Sequence, residues 1–302
     1  MIKIFSLLNF SKEQKKRVSK NFTSLVFFNI SVAIFQIFFP PLMIIIYGLE
    51  NFGIWIFLTA IPASLAILNF NINDAAKVEM SIYFNKNNKK KVNEVFNNSI
   101  ILTFLFVVFI IFITTLIINF YDFNLNILKD INPQNLNVIL LCIFLSFYLD
   151  IINSIFKIGI TFWGRQDVAT YLNIFFDLLA KLFILAAGLL FNELIFASIA
   201  FLLANIFKII IFYFFFLNYN KHLTLFSFKL VSKSEILRLF KLSIPYYFNN
   251  ASAIIKNSFQ IIILGIFFNS QIVGLVSTLK TLFYFMPHSL WGITGRIISY
   301  EF

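Results

Sequence analysis

Along the chain, long apolar blocks alternate with short polar breaks. A helix crosses a bilayer in about 20 apolar residues, and the blocks meet that length. Eight spans follow, approximately Thr23–Tyr47, Phe52–Ile72, Asn98–Phe120, Leu136–Ile160, Thr170–Phe191, Leu194–Leu217, Ser243–Phe268 and Ile272–Thr294. A β-barrel would show short alternating segments instead, so the spans are predicted to be helices. The fold class expected is an all-α polytopic membrane protein.

Composition agrees. Apolar residues make up 60% of the 302, charged residues 12%, and the mean hydropathy is +0.88. A soluble domain needs far more charge to cover its surface. The 44 Phe, with abundant Ile, Asn and Lys, also fit an AT-rich genome. Cys142 is the single cysteine, which rules out an intrachain disulfide. His222 and His288 lie far apart without metal-ligand spacing. The basic N-terminus precedes a long block with no small-residue cleavage site, which reads as an uncleaved first span.

Charge tests the division independently. Of the 24 Lys and Arg, 18 fall in the N-terminal tail, the loops after spans 2, 4 and 6, and after span 8. Those places share one side if there are eight spans. The opposite side holds Lys129 alone. The positive-inside rule then puts both termini in the cytoplasm.

Five basic residues lie within spans: Lys157, Lys181, Lys208, Lys256 and Lys280. Asp150 and Asp177 join them. A charge at a span centre costs about 2.5–3.5 kcal/mol. Lys157, near the cytoplasmic end, can snorkel; the others must face one another or water. Asp150 and Lys157 share one face of span 4, with Asn153 between them. Asp177 and Lys181 stand at i and i+4 in "FFDLLAKLFILAAG", where they can pair with the acid in the favourable N-terminal position. Pro40, Pro41, Pro62, Pro245 and Pro287 can kink their spans.

The longest hydrophilic stretch joins spans 6 and 7. Its second half, Ser234–Leu242, reads either as a short amphipathic surface helix or as a plain basic loop. Two segments echo each other. "FFNISVAIF" (27–35) matches "YFNNASAII" (247–255) at four positions, and "IYGLENFGIW" and "FFNSQIVGLV" each place a polar turn before a glycine, Gly53 and Gly274. Transporters are often built from such repeats.

These residues carry a family resemblance. "YGLENFGIW" (47–55) resembles the G-x-E-x-F/Y-G-x-W/Y turn of polysaccharide and O-antigen flippases. "FWGRQDVATY" (162–171) is similar to their basic turn between spans 4 and 5. "LFKLSIPYYFNN" (239–250) with "QIIILGIFFNSQIVGL" (260–275) is similar to the opening of their second lobe. The family belongs to the multidrug/oligosaccharidyl-lipid/polysaccharide exporter superfamily. The resemblance implies two six-helix lobes around a cavity that opens alternately to each side of the bacterial cytoplasmic membrane. It also implies an undecaprenyl-pyrophosphate-linked oligosaccharide as substrate, an ion gradient as driving force, and contact with membrane lipids and other polysaccharide-assembly proteins.

On that template, residues 1–22 are a basic cytoplasmic tail and 23–217 the first six-helix lobe. Residues 218–242 are a linker, and 243–302 the first two helices of a second lobe. Two departures stand out. Gln260 occupies a place where the family often has an acid. Family members also have roughly twelve or fourteen spans, so a truncated gene or fragment is one expectation.

A cavity with excess cations would lower the cost of moving a pyrophosphate headgroup. The candidate lining is Lys181, Lys208, Lys256 and Lys280, with Arg165 and Arg296 at the cytoplasmic ends, where guanidinium suits phosphate. Asp150 and Asp177 are the candidates for ion coupling; Asp74 and Glu79 are weaker ones. The face of span 5 bearing Asp177 and Lys181 is expected to line the cavity. No nucleophile–base pair, nucleotide loop or metal cluster occurs, so no catalytic residue, cofactor, metal or nucleic-acid partner is expected. A cation-coupled multidrug exporter, a membrane polymerase and a non-functional fragment are the alternatives. Excess lysine speaks against the exporter, and short outer loops against the polymerase.

Overall fold

The computed structural model describes residues 12–68, 70–120, 126–128, 131–163, 165–220, 223–224, 227, 230–281 and 283. Among them every regular element is helical. α1 spans Lys12–Leu65, α2 Ile72–Asn85, α3 Lys89–Phe120, α4 Pro133–Thr161, α5 Gln166–Phe191 and α6 Leu194–Tyr219. α7, Lys233–Ile254, runs through a π-helical turn at Ile255–Phe259 into α8, Gln260–Phe267. α9 covers residues 270–281.

Among the described residues six helices are long and apolar enough to cross a membrane: Ile34–Leu68, Lys89–Leu116, Pro133–Thr161, Gln166–Phe191, Leu194–Tyr219 and Lys233–Phe267. The first two expected spans are the two limbs of α1. The eighth begins as α9, and its remainder lies outside the described residues, with Pro287, His288 and Arg296. His222 lies outside them too. The chain is a multi-pass, all-α membrane protein.

Local chemistry sets the breaks. α1 would be a rod of roughly 80 Å if straight. Gly48 interrupts it at φ 84° and ψ 160°, a backbone region that other residues avoid. Pro40, Pro41 and Pro62 sit inside the helical limbs, so this interruption falls at the glycine of "YGLENFGIW" and not at a proline. Pro133 opens α4 behind Asn132, whose side chain accepts from the Gln134 N–H at 3.0 Å. Asn192, at φ 52°, closes α5 in the left-handed region.

Two expectations about the basic loops need correction. The segment after span 2 is a helix: α2 buries Ile72, Ala75, Ala76 and Met80 at helical spacing. Residues 234–242 form no separate surface helix, because α7 runs unbroken from Lys233 into the apolar segment. Ser232 caps it, accepting from the Glu235 N–H at 3.3 Å.

A polar strap fastens this region to α3. Asn97 donates to the Thr224 carbonyl at 2.9 Å and accepts from the Ser227 N–H at 2.7 Å. Asn98 does the same with Leu230 (3.1 Å) and Ser232 (3.1 Å). Both amides are fully buried, so they supply partners that the irregular backbone would otherwise lack. Arg238 of α7 completes the fastening. It donates to Glu235 at 2.9 Å, to the Tyr83 hydroxyl at 3.0 Å and to Glu79 at 2.7 Å, the last two on α2.

The apolar core joins the second limb of α1 to α4, α5 and α6. Tyr47, just before the bend, donates its hydroxyl to the Ile184 carbonyl at 2.8 Å. Outward-facing positions stay apolar: Ile45 is 78% exposed and Leu189 75%, as a surface in contact with lipid requires.

The two echoing glycines meet. A Cβ on Gly53 would overlap the Ser270 carbonyl oxygen, and one on Gly274 would stand 3.0 Å from the Leu49 carbonyl. Each glycine thus touches the residue four before its counterpart, which is the pattern of a two-fold contact. Gly53→Ala is expected to cost about 1–3 kcal/mol by overpacking, and Gly274→Ala less. Thermal unfolding in detergent would read both.

Candidate functional site

Polar side chains collect where α4, α5 and α6 face α1. Lys208 of α6 sends its ammonium to Asp150 of α4 at 2.8 Å and to Asp177 of α5 at 3.2 Å. The Lys208 side chain is only 7% exposed, whereas Asp150 is 57% and Asp177 44% exposed. Each carboxylate gives one oxygen to the lysine and remains open on its other side. Burial would make a lone ammonium costly; two acceptors offset that cost.

The triad borders a cavity of about 450 Å³. Thr59 and Pro62 of α1 line it opposite Asp150, Asp177, Lys181 and Lys208, with Phe147 and Asn205 between. Asn205 satisfies itself on its own helix, donating to the Phe201 carbonyl at 3.0 Å. Its presence in an apolar wall therefore needs no partner.

The sequence allowed Asp177 to pair with Lys181. In the structure Asp177 takes Lys208 instead, and the Lys181 ammonium stands 5.7 Å from the Phe35 ring centre and 5.8 Å from that of Phe39. These rings, at i and i+4 on α1, hold the cation over their faces. No sequence signal had marked them beyond their helical spacing.

The remaining candidates separate. Lys280 of α9 donates to the Lys256 carbonyl at 3.0 Å, the Asn257 carbonyl at 3.3 Å and Gln260 Oε1 at 3.0 Å. It therefore sits on the π-helical turn, and neither it nor Lys256 lines the cavity. Arg165, at the start of α5, pairs with Asp167 at 3.4 Å and lies over the Tyr219 ring at 5.2 Å. Arg296 lies outside the described residues. Among the described residues no three His, Cys, Asp or Glu side chains group as a metal site.

A second polar rung lies nearer the lysine-rich end, between α2 and α4. Asn73 bonds Ser154, and Ser81 donates to the Phe162 carbonyl at 3.3 Å. Between them Lys77 donates to Gln166 Oε1 at 2.9 Å. Burial pushes the Lys77 ammonium down to about 7; Asp74 opposes this and Lys157 adds to it. The sequence places Lys77 among the loop lysines, and the structure places it on α2.

Comparison with known proteins bears on this arrangement. No family model and no curated protein matches the chain. Solved structures do. An outward-facing multidrug-resistance transporter of the MATE family, in the MOP superfamily, shares a TM-score of 0.53 at 14% identity. That match covers 94% of this chain and 68% of the other. A MOP superfamily transporter from Pyrococcus furiosus, described as having a binding pocket of reversed polarity, shares 0.49 at 14% identity, over 89% and 64%. The chain thus spans about two thirds of the length of these structures. The class that the helices define is a multi-pass bundle. The particular fold, on the 0.53 match, is that of MOP superfamily transporters.

Two outcomes are expected. Lys208→Met leaves two carboxylates facing each other and should cost about 1–3 kcal/mol, moderated by their exposure. Adding Asp150→Asn and Asp177→Asn should recover most of the loss in thermal unfolding. For Lys77 the folded pKa lies below the unfolded one. The protonated form is therefore penalised fully below pH 7, and the penalty fades as pH rises toward about 10.4. The melting temperature should climb over that window, and Lys77→Met should flatten the climb.

Proposed function

We propose that the chain is a transporter that moves undecaprenyl-pyrophosphate-linked oligosaccharide across the bacterial cytoplasmic membrane by alternating access, with both termini in the cytoplasm. The observation that carries this reading is the Asp150–Lys208–Asp177 triad beside Lys181 in one cavity. Charges within spans are costly and are retained for substrates and ions. Lys181 offers phosphate an ammonium held by aromatic rings rather than by a carboxylate in contact. The open sides of Asp150 and Asp177 take up and release a proton or Na⁺ as the cavity faces each compartment. The resemblance of "YGLENFGIW" and "FWGRQDVATY" to flippase turns supplies the substrate class.

A second reading, a cation-coupled multidrug exporter, is favoured by one observation. The triad buries its cation and exposes its anions, so the accessible charge there attracts cations. The fold likeness to a multidrug-resistance transporter is in keeping with it.

Reconstituted vesicles separate the two. The first reading expects lipid-linked oligosaccharide to change leaflets, with Lys181→Met slowing transfer about tenfold, or 1.4 kcal/mol in the barrier. Efflux of a cationic dye that is lost in Asp177→Asn, without glycan movement, would establish the second. Well-folded protein that moves neither would sink both.

A further inference from the structure

The contact of α7 with α2 and α3 is built from charges that have a second partner on their own helix. Across the seam, Arg238 of α7 meets Glu79 of α2 at 2.7 Å, and Glu235 of α7 meets Lys91 of α3 at 3.0 Å. Within α7, Arg238 also meets Glu235 at 2.9 Å; within α3, Lys91 also meets Glu94 at 2.9 Å. Both inner pairs stand at i and i+3, where one helix face holds them together unaided. If α7 draws away, Arg238 keeps Glu235 and Lys91 keeps Glu94. Of these five charges only Glu79 gives up its ion-pair partner.

The rest of the seam is of a kind that parts readily. The Lys91 and Arg238 side chains are 36% and 37% exposed, so water reaches them as the pairs separate, and pairs of that kind hold weakly. Farther along α7, the Asn71 side chain donates to the Tyr246 carbonyl at 3.3 Å and accepts from Asn250 at 3.1 Å. Phe70 stacks on Tyr247 with ring centres 4.7 Å apart. Leu239 is fully buried in one apolar cluster with Ile72, Met80 and Val92, whereas Ile244, Tyr246 and Phe248 stay exposed. A contact with few buried apolar side chains opens at low cost.

We infer that Lys91, Glu235, Arg238 and Glu79 form an ionic latch. It holds α7 against α2 and α3 in one conformation and releases it in another, the charges of α3 and α7 falling back on partners in their own helices. Release exchanges two cross-helix pairs for hydration and leaves no cation without an acid. The use of the latch rests on the transport reading: release is the step that parts the helices before the linker from those after it. Its geometry does not rest on that reading.

The test is a distance measurement by pulsed electron spin resonance on the full chain in nanodiscs. Labels go on Lys86→Cys, at the end of α2, and Lys241→Cys of α7, both exposed, in a Cys142→Ala background. Two distance populations are expected. Raising salt from about 50 to about 500 mM shortens the screening length roughly threefold and should enlarge the longer population about threefold. Glu79→Gln and Lys91→Gln should each enlarge it about threefold to fivefold at low salt, and combining them should abolish the salt response. Neither residue lines the central cavity. A single population, or two whose ratio ignores salt and both substitutions, overturns the inference. A short reductant-cleavable bridge between Glu79→Cys and Arg238→Cys should stop whatever glycan or dye transport the unbridged protein shows, and cleavage should restore it. Transport at the unbridged rate with the bridge in place also overturns the latch. Salt-sensitive populations in a parent that moves neither cargo would keep the latch and defeat the transport reading; one fixed distance in a parent that transports would do the reverse.

Discussion

An ammonium group in the interior of a helix bundle has to be met by oxygen, and that demand organises the centre of this protein. Lys208 projects from α6 where little water reaches it, so carboxylates must come to it from α4 and α5. Neither acid alone would suffice as well. With two acceptors the lysine's charge is over-compensated, and the surplus negative charge faces the cavity. The positions of three helices are thereby linked through one nitrogen. A change in protonation or ligation at either carboxylate alters the attraction across both helix contacts at once.

Much of this was legible in the chain, but unevenly. Span positions came through because apolar length is a one-dimensional signal that tertiary packing cannot reverse. The expected Leu194–Leu217 span, for instance, became the helix Leu194–Tyr219. Charged positions within spans were equally plain, since each costs too much to be incidental. Their partners were not. Asp177 and Lys181 satisfy the local i, i+4 rule, yet a buried lysine on another helix outcompetes a neighbour that can reach aromatic rings instead. Local spacing says which residues can meet; burial decides which must. α2 was missed for a related reason. Lys77 and the asparagines read as loop, although the four buried positions, Ile72, Ala75, Ala76 and Met80, recur at helical spacing.

The glycine pair shows the opposite case, where a weak sequence signal had a definite physical content. Two polar turns ending in glycine look alike by chance in any apolar chain. Here Gly53 and Gly274 let two helix starts approach until backbone meets backbone, each against the carbonyl four residues before the other. A contact of that symmetry requires equivalent local structure on both sides. The echo in sequence and the contact in space therefore explain each other, although the surrounding residues differ.

Counting the lysines within spans implies a strongly cationic interior, yet three of the five have different surroundings in the structure. Lys280 spends its donors on carbonyls opened by the π-helical turn, so its role there is to satisfy backbone rather than to meet a ligand. Lys208 is neutralised within its triad. Lys181 stands over two phenylalanine rings rather than in a carboxylate pair, and an ammonium with part of its hydration removed pulls more strongly on any anion entering the cavity. Selectivity in this cavity then follows from which charges are open to it rather than from their sum. An entering group meets one ring-held cation and the outer oxygens of two acids, spaced across α4 and α5. On the reading proposed above, a ligand with both an anionic and a proton-donating portion would meet both kinds of wall at once, whereas a simple anion or a simple cation would meet only one.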